Sequence, residues 1–173
     1  CAETGVHIVH CPESNLKLAS GFCPVHELAQ AGINVALGTD GAASNNDLNM
    51  FGEMRTAALL GKGVAADASA VPAEQVLRMA TINAARSLGL DEHLGSLQAG
   101  KAADFIAVQL DGVETEPVYN PVSQLVYATG RDKVTDVWVA GKHLLKDRIL
   151  TTLESEEILS KAREWRTRIA RNQ

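Results

Sequence analysis

The stretch INVALGTDGAASNN, residues 33–46, runs from a short apolar strand pattern into a loop that presents Asp40, and its reading decides the fold. Upstream, VHIVHCPESN at residues 6–15 has the same form, with β-branched residues, then His10, then a polar turn. Such unbroken apolar runs mark strands covered on both faces in a parallel sheet, where the alternation of half-exposed strands is lost. Between the two, Pro24, Val25, Leu28, Ala29 and the stop Gly32 predict a short helix over 24–31, and NLKLAS at 15–20 reads as a further short strand. Strand, helix and strand in tight succession are α/β grammar. In a parallel α/β barrel, chemistry collects at the carboxyl ends of the strands, which is where His10 and Asp40 fall. A carboxylate there can hold a metal and accept a proton from water. The chain holds no HxH pair and no HExxH helix, and one Asp with one His falls short of the three protein ligands that a catalytic zinc takes.

Outward from the Asp40 loop, residues 47–61 suit a helix with Asp47 as cap, Leu48, Phe51, Met54 and Ala58 on one side, and Gly61 as its end. Residues 61–72 read as a linker, followed by two outer packing helices, AEQVLRMA and TINAARSLG, the second capped by Thr81 and stopped by Gly89. From residue 100 the texture changes. AADFIAVQL, SQLVYAT and VTDVWVAGKHLL read as strands, with Gly141-Lys142 as a type II′ hairpin turn. SEEILSKAREWRTRIARN at 155–172 places Ile158, Ala162, Trp165 and Ile169 on one stripe of a terminal helix, expected to dock by that stripe and leave its basic face to solvent. Three segments result: 1–99, 100–153 and 154–173.

Composition bounds the function classes. With 46% hydrophobic and 21% charged residues over 173 positions, the chain has globular composition and enough apolar material for a core. A net charge of −5, with basic residues scattered until the last segment, argues against a nucleic-acid partner. No apolar run approaches the roughly 20 residues of a membrane span, and no signal-peptide pattern opens the chain. Cys1, Cys11 and Cys23 follow no metal-site spacing and read as reduced thiols of a cytoplasmic protein, with Cys11 as a buried small hydrophobe. The opening AETGVHIVHCP reads as structure already in progress, so the chain is expected to be the carboxyl-terminal part of a longer protein.

HCPESNLKLASG, VALGTDGAASNNDLNMFGEMRTAALL, TINAARSLGL and GSLQAGKAADFIAV, in that order, resemble the amidohydrolase superfamily. The branch is that of cytosine, guanine and adenosine-type deaminases and triazine chlorohydrolases. Within it, SNLKLASG and TDGAASNN are most similar to deaminases of 5-methylthioadenosine and S-adenosylhomocysteine. The resemblance implies the carboxyl-terminal part of a TIM (β/α)8 barrel, then part of a small β-sandwich and the terminal helix. It places His10 after the sixth barrel strand and Asp40 after the eighth, with about three of the eight strands in this chain. The first-strand His pair and the fifth-strand His with its Glu would lie upstream of Cys1.

The resemblance further implies one divalent ion, zinc, which brings the pKa of a water from about 15.7 to about 7. Asp40 would be its ligand and the proton acceptor, and His10 would hydrogen-bond the attacking oxygen. The implied substrate is a small aminated purine nucleoside losing ammonia. A guanine or triazine substrate, or an inert folding and association module, remain as alternatives, and the exposed surface of a partial barrel suits a homo-oligomer. Ser44, in the loop past Asp40, is a substrate-binding candidate, against the plainer reading of a helix cap. The plain alternative for Asp40 is an Asx-turn or helix cap. His7 is expected to be structural, at a core-facing position, and His26, His93 and His143 structural as well. Asn45 and Asn46 are expected to shape the loop, and Glu53 and Arg55 to form a solvated ion pair.

Overall fold

The computed structural model describes residues 2–170, so Cys1 and the last two residues of the expected terminal helix lie outside the described residues. In chain order the elements are β1 (His7–His10), α1 (Pro12–Lys17), α2 (Val25–Gln30), β2 (Asn34–Leu37), α3 (Ala42–Asn45), α4 (Met50–Ala65), α5 (Ala73–Ala80) and α6 (Ile82–Ser87). There follow β3 (Phe105–Val108), α7 (Pro121–Tyr127), β4 (Val134–Val139), β5 (Lys142–Lys146), β6 (Ile149–Leu150) and α8 (Ser155–Ala170). The molecule is α/β. A parallel pair, β1 with β2, is a partial barrel, and a separate four-stranded antiparallel sheet runs β3-β4-β5-β6.

β1 and β2 pair in parallel from His7 opposite Asn34 to His10 opposite Leu37. Only β2 is a core strand, with Val35, Ala36 and Leu37 buried, whereas His7 and Val9 of β1 are exposed. His7 is therefore not core-facing, and β1 is not covered on both faces. The core lies on the other side of β2, where Val35 and Leu37 meet Phe51 and Met54 of α4, Val76 and Met79 of α5 and Val126 of α7.

Several local expectations are overturned, each for a physical reason. NLKLAS is not a strand: Pro12 at the first helical position starts α1, which runs through Lys17. Helix α4 is capped by Asn49, whose side chain accepts the Phe51 N–H at 3.1 Å, and not by Asp47. It passes through Gly61 and ends at Ala66 in a left-handed conformation. Gly61 serves contact instead, because a Cβ there would stand 2.6 Å from Val71 Cγ2. Thr81 does hold the N-cap position of α6, but without a side-chain bond to it, since its hydroxyl donates back to the Leu77 carbonyl at 2.7 Å.

SQLVYAT lies mostly within helix α7, which Asn120 caps through the Ser123 N–H at 2.9 Å. Its Val122, Leu125 and Val126 follow helical spacing onto the core. The hairpin turn is Ala140-Gly141, with φ of +49° and +75°, and Lys142 already pairs with Val139. Two positive φ values in a two-residue loop suit type I′ rather than type II′. Helix α8 has no buried residue, so its Ile158, Trp165 and Ile169 stripe is exposed and not docked among the described residues. No helix of the described residues is long and apolar enough to cross a membrane.

Candidate metal and substrate site

Asp40 sits three residues past the carboxyl end of β2, exposed and with φ of +60°. Asp is among the few residues that tolerate this left-handed region, which turns the chain sharply out of the strand. The turn is tight because Gly38, whose N–H donates to the His10 carbonyl at 2.9 Å, passes against β1. A Cβ at Gly38 would lie 3.0 Å from Val9 Cγ1 and 3.3 Å from Cys11 Sγ.

Two hydroxyls converge on one oxygen of Asp40. Ser14 Oγ donates to Oδ2 at 2.8 Å and Ser44 Oγ to the same atom at 2.6 Å. With the Gly41 N–H they favour the ionised form and hold the carboxyl below its ordinary pKa. Asp40 is therefore an anion at neutral pH. It is not a helix cap either, for Gly41 takes the cap position of α3 without a side-chain bond. Ser44 meets Asp40 rather than standing free, and its hydroxyl also lies 3.1 Å from the Gly41 carbonyl.

His10 ends β1 and is 3% exposed, and its Nδ1 is buried without a hydrogen-bond partner in the described structure. Burial lowers its pKa, so the ring is neutral at pH 7. The strand that bears it is the direct parallel neighbour of β2, with no strand between them. Successive barrel strands are spatial neighbours, so if β2 is the eighth strand, β1 is the seventh and not the sixth. Among the described residues, two barrel strands are present rather than three.

Ser14, Glu53 and the bonding of Asn45 are the residues that sequence reasoning missed or misplaced. Glu53 of α4 is fully buried, not in a solvated ion pair with Arg55, which is exposed. Its Oε2 accepts the Glu13 N–H at 3.2 Å and its Oε1 accepts the Asn45 side-chain amide. Burial raises its pKa, with the nearby Glu13 carboxylate adding to the rise. Asn45 Oδ1 accepts the N–H groups of Asp47 at 3.0 Å and Leu48 at 2.8 Å, so it does shape the loop. The signal for Glu53 was its place on the α4 face shared with Met54, Ala57 and Ala58, where a charged residue must find buried partners.

His26 bonds Gln30 at 2.8 Å, and His93 is exposed. His143 meets Asp136 at 2.8 Å and stacks on Trp138 with ring centroids 4.2 Å apart. Cys11 is half-buried rather than buried, and Cys11 and Cys23 are free thiols. Among the described residues, no three His, Cys, Asp or Glu side chains group closely enough to hold a metal. Asp40 fits one ligand position, as an accessible carboxylate already ionised.

The amidohydrolase family model matches residues 1–144. The chain is 55% identical over 168 residues to a 5-methylthioadenosine/S-adenosylhomocysteine deaminase of Teredinibacter turnerae, covering 97% of this chain and 38% of that protein. It is 56% identical over 163 residues to the enzyme of the same name from Saccharophagus degradans, covering 94% of this chain and 36% of that protein. Among solved structures it matches an adenosine deaminase from Xanthomonas campestris with bound zinc, at a TM-score of 0.96 and 55% identity, over 98% of this chain and 39% of that one. An atrazine chlorohydrolase from Arthrobacter aurescens complexed with zinc and atraton matches at a TM-score of 0.86 and 34% identity, over 92% of this chain and 36% of that one. The chain thus spans less than two fifths of the length of these two curated relatives. The chain belongs to the amidohydrolase family.

Proposed function

We propose that these residues form the carboxyl-terminal share of the active site of a cytoplasmic, metal-dependent hydrolytic deaminase. Its substrate is 5-methylthioadenosine, S-adenosylhomocysteine or a related adenosine-type nucleoside, and its remaining metal ligands come from residues outside this chain. The observation that carries this reading is Asp40, an exposed anion at the carboxyl end of a barrel strand, held by two serine hydroxyls. The curated relatives supply the substrate class, and the zinc of the Xanthomonas structure supports a single zinc ion.

Zinc, when bound, supplies the acidity that makes water a nucleophile at neutral pH. Asp40 would be one ligand, through the oxygen that Ser14 and Ser44 leave clear of side-chain bonds. The same carboxylate accepts a proton from the attacking water and returns it to the departing amine, so that water and substrate become the oxo product and ammonia. Its lowered pKa suits a proton carrier that must not retain the proton. Ser14 and Ser44 orient the carboxylate, and Ser44, at the rim of the loop, reaches the substrate.

For His10, the strand count removes the sixth-strand assignment as support. What remains is its place at the end of the neighbouring strand and its neutral ring with an unpartnered Nδ1, which suits a hydrogen bond to the attacking oxygen. A guanine or triazine substrate is the second reading, favoured by the likeness to the atrazine chlorohydrolase.

The test is ammonia release by the gene product containing this chain, with Zn2+, on methylthioadenosine, adenosine, guanine and an s-triazine. Turnover of the adenosine-type substrates above the others supports the reading. Preference for guanine or triazine overturns the substrate, and release by none overturns the activity. The 173-residue chain alone is expected to release no ammonia and to aggregate through its open β1 edge.

A further inference from the structure

We propose that Glu53 is a positioning residue for the Asp40 carboxylate, because it ties together from below the two segments whose serines grip that carboxylate from above. The proposal rests on Asp40 being a metal ligand.

The two segments are separate in the chain and meet Glu53 and Asp40 through adjacent residues. In the first turn of α1, Glu13 donates its N–H to Glu53 Oε2 at 3.2 Å, and the next residue, Ser14, donates to Asp40 Oδ2 at 2.8 Å. At the end of α3, Asn45 donates its amide to Glu53 Oε1, and the preceding residue, Ser44, donates to Asp40 Oδ2 at 2.6 Å. One buried carboxylate and one exposed carboxylate thus close a ring through two neighbouring pairs. Glu53 sets the spacing of Ser14 and Ser44, and the serines set the rotamer of Asp40.

The rest of the local structure holds Glu53 to this task. Its side chain is fully buried on α4, which packs on the core through Met54 and Ala57, so the base of the ring cannot swing. The Glu13 side chain is held in turn, with Oε1 accepting Thr56 Oγ1 at 3.0 Å, and it lies close against Gly52, where a Cβ would stand 2.9 Å from that oxygen. A buried carboxylate costs desolvation, and a core position gives an apolar residue the same packing without it. What the carboxylate adds is two acceptors, one for each arm.

The test uses the gene product containing this chain, with Zn2+ alone as the probe and competition against a chromophoric chelator. Asp40→Ala comes first: a large loss of zinc affinity is expected, and unchanged affinity overturns the assignment of Asp40 as a ligand, and this inference with it. Given that loss, Glu53→Gln keeps the shape and removes one acceptor, and zinc affinity is expected to fall about tenfold, the scale for outer-shell partners of metal ligands. The same change made on Ser14→Ala/Ser44→Ala is expected to add less than about twofold, because residues acting through one network are not additive. Met79→Ala, in the core and outside the ring, is expected to lower the melting temperature while leaving zinc affinity in place. Wild-type zinc affinity in folded Glu53→Gln, or a full tenfold loss on top of the serine variant, overturns the proposal. Should Glu53→Gln not fold, Asn45→Ala cuts one arm and leaves Glu53 in place; weakened zinc binding that is non-additive with Ser44→Ala supports the proposal, and unchanged binding overturns it.

Discussion

β1 and β2 lie side by side in one sheet and read alike as short β-branched runs, yet they stand in opposite surroundings. β2 has three of its four residues buried, whereas β1 buries only His10 and leaves Val9 57% exposed. The contrast teaches that a strand's own pattern records the burial it is built for, while the burial it has depends on its neighbours. α5 and α6 cover β2, and among the described residues no strand pairs with the other edge of β1. The two candidate site residues fall along the boundary, with His10 on the sparse strand and Asp40 past the end of the covered one.

The largest expected effect breaks the comparison at that boundary. Asp40→Ala in the gene product should lower kcat/KM for deamination about 10³-fold, the scale of losing a group that stabilises developing charge, and ammonia release measures it. Next, Met79→Ala on the covered side should cost about 2–5 kcal/mol in a denaturant melt, because its fully buried side chain would leave a cavity. On the sparse side, Val9→Ala should cost about 1.5 kcal/mol in a denaturant melt of the gene product, where a covering strand would bury its two lost methyl groups, although Val9 is exposed here. A cost within about 0.5 kcal/mol would mean that β1 is an edge in the gene product too.

Glu53 offers a pH signature. Its folded pKa is raised above 4.5, so ionisation penalises the folded state, and stability is lost as pH rises from about 4.5 through the folded pKa and is level beyond it. Wild type should therefore lose stability relative to Glu53→Gln across that interval, as read from melting temperature against pH. A constant difference between them would contradict the shift. The smallest effect belongs to α8: Trp165→Ala should change the stability of the gene product by no more than about 0.5 kcal/mol, since the side chain is 59% exposed.

The legible parts of the fold are those with strong local rules. The strand ends carrying His10 and Asp40, helices α2 and α5, and strands β3, β4 and β5 all follow apolar runs or helical spacing that few other structures satisfy. Helix α7 hid because Val122, Leu125 and Val126 fit a strand composition, although Asn120-Pro121 is a helix-start signal. Gly61 read as a stop because glycine breaks helices in isolation, whereas here it permits the approach of Val71.

The site divides in the same way. Asp40 was visible from its place after a strand, but Ser14 was not, because its contact spans 26 positions and no local pattern encodes it. Glu53 was hidden by a general rule, that carboxylates on helices face solvent, which fails where a loop supplies buried donors. The strand that carries His10 was miscounted because adjacency is a property of the sheet and is not written in the residues.

The central claim is that Asp40 is a metal ligand, and the most direct measurement is anomalous diffraction at the zinc absorption edge from crystals of the zinc-loaded gene product. The account predicts an anomalous peak about 2.0–2.2 Å from a carboxylate oxygen of Asp40, the distance of a zinc–carboxylate bond. A well-occupied zinc peak with the Asp40 carboxylate outside its coordination sphere would contradict it.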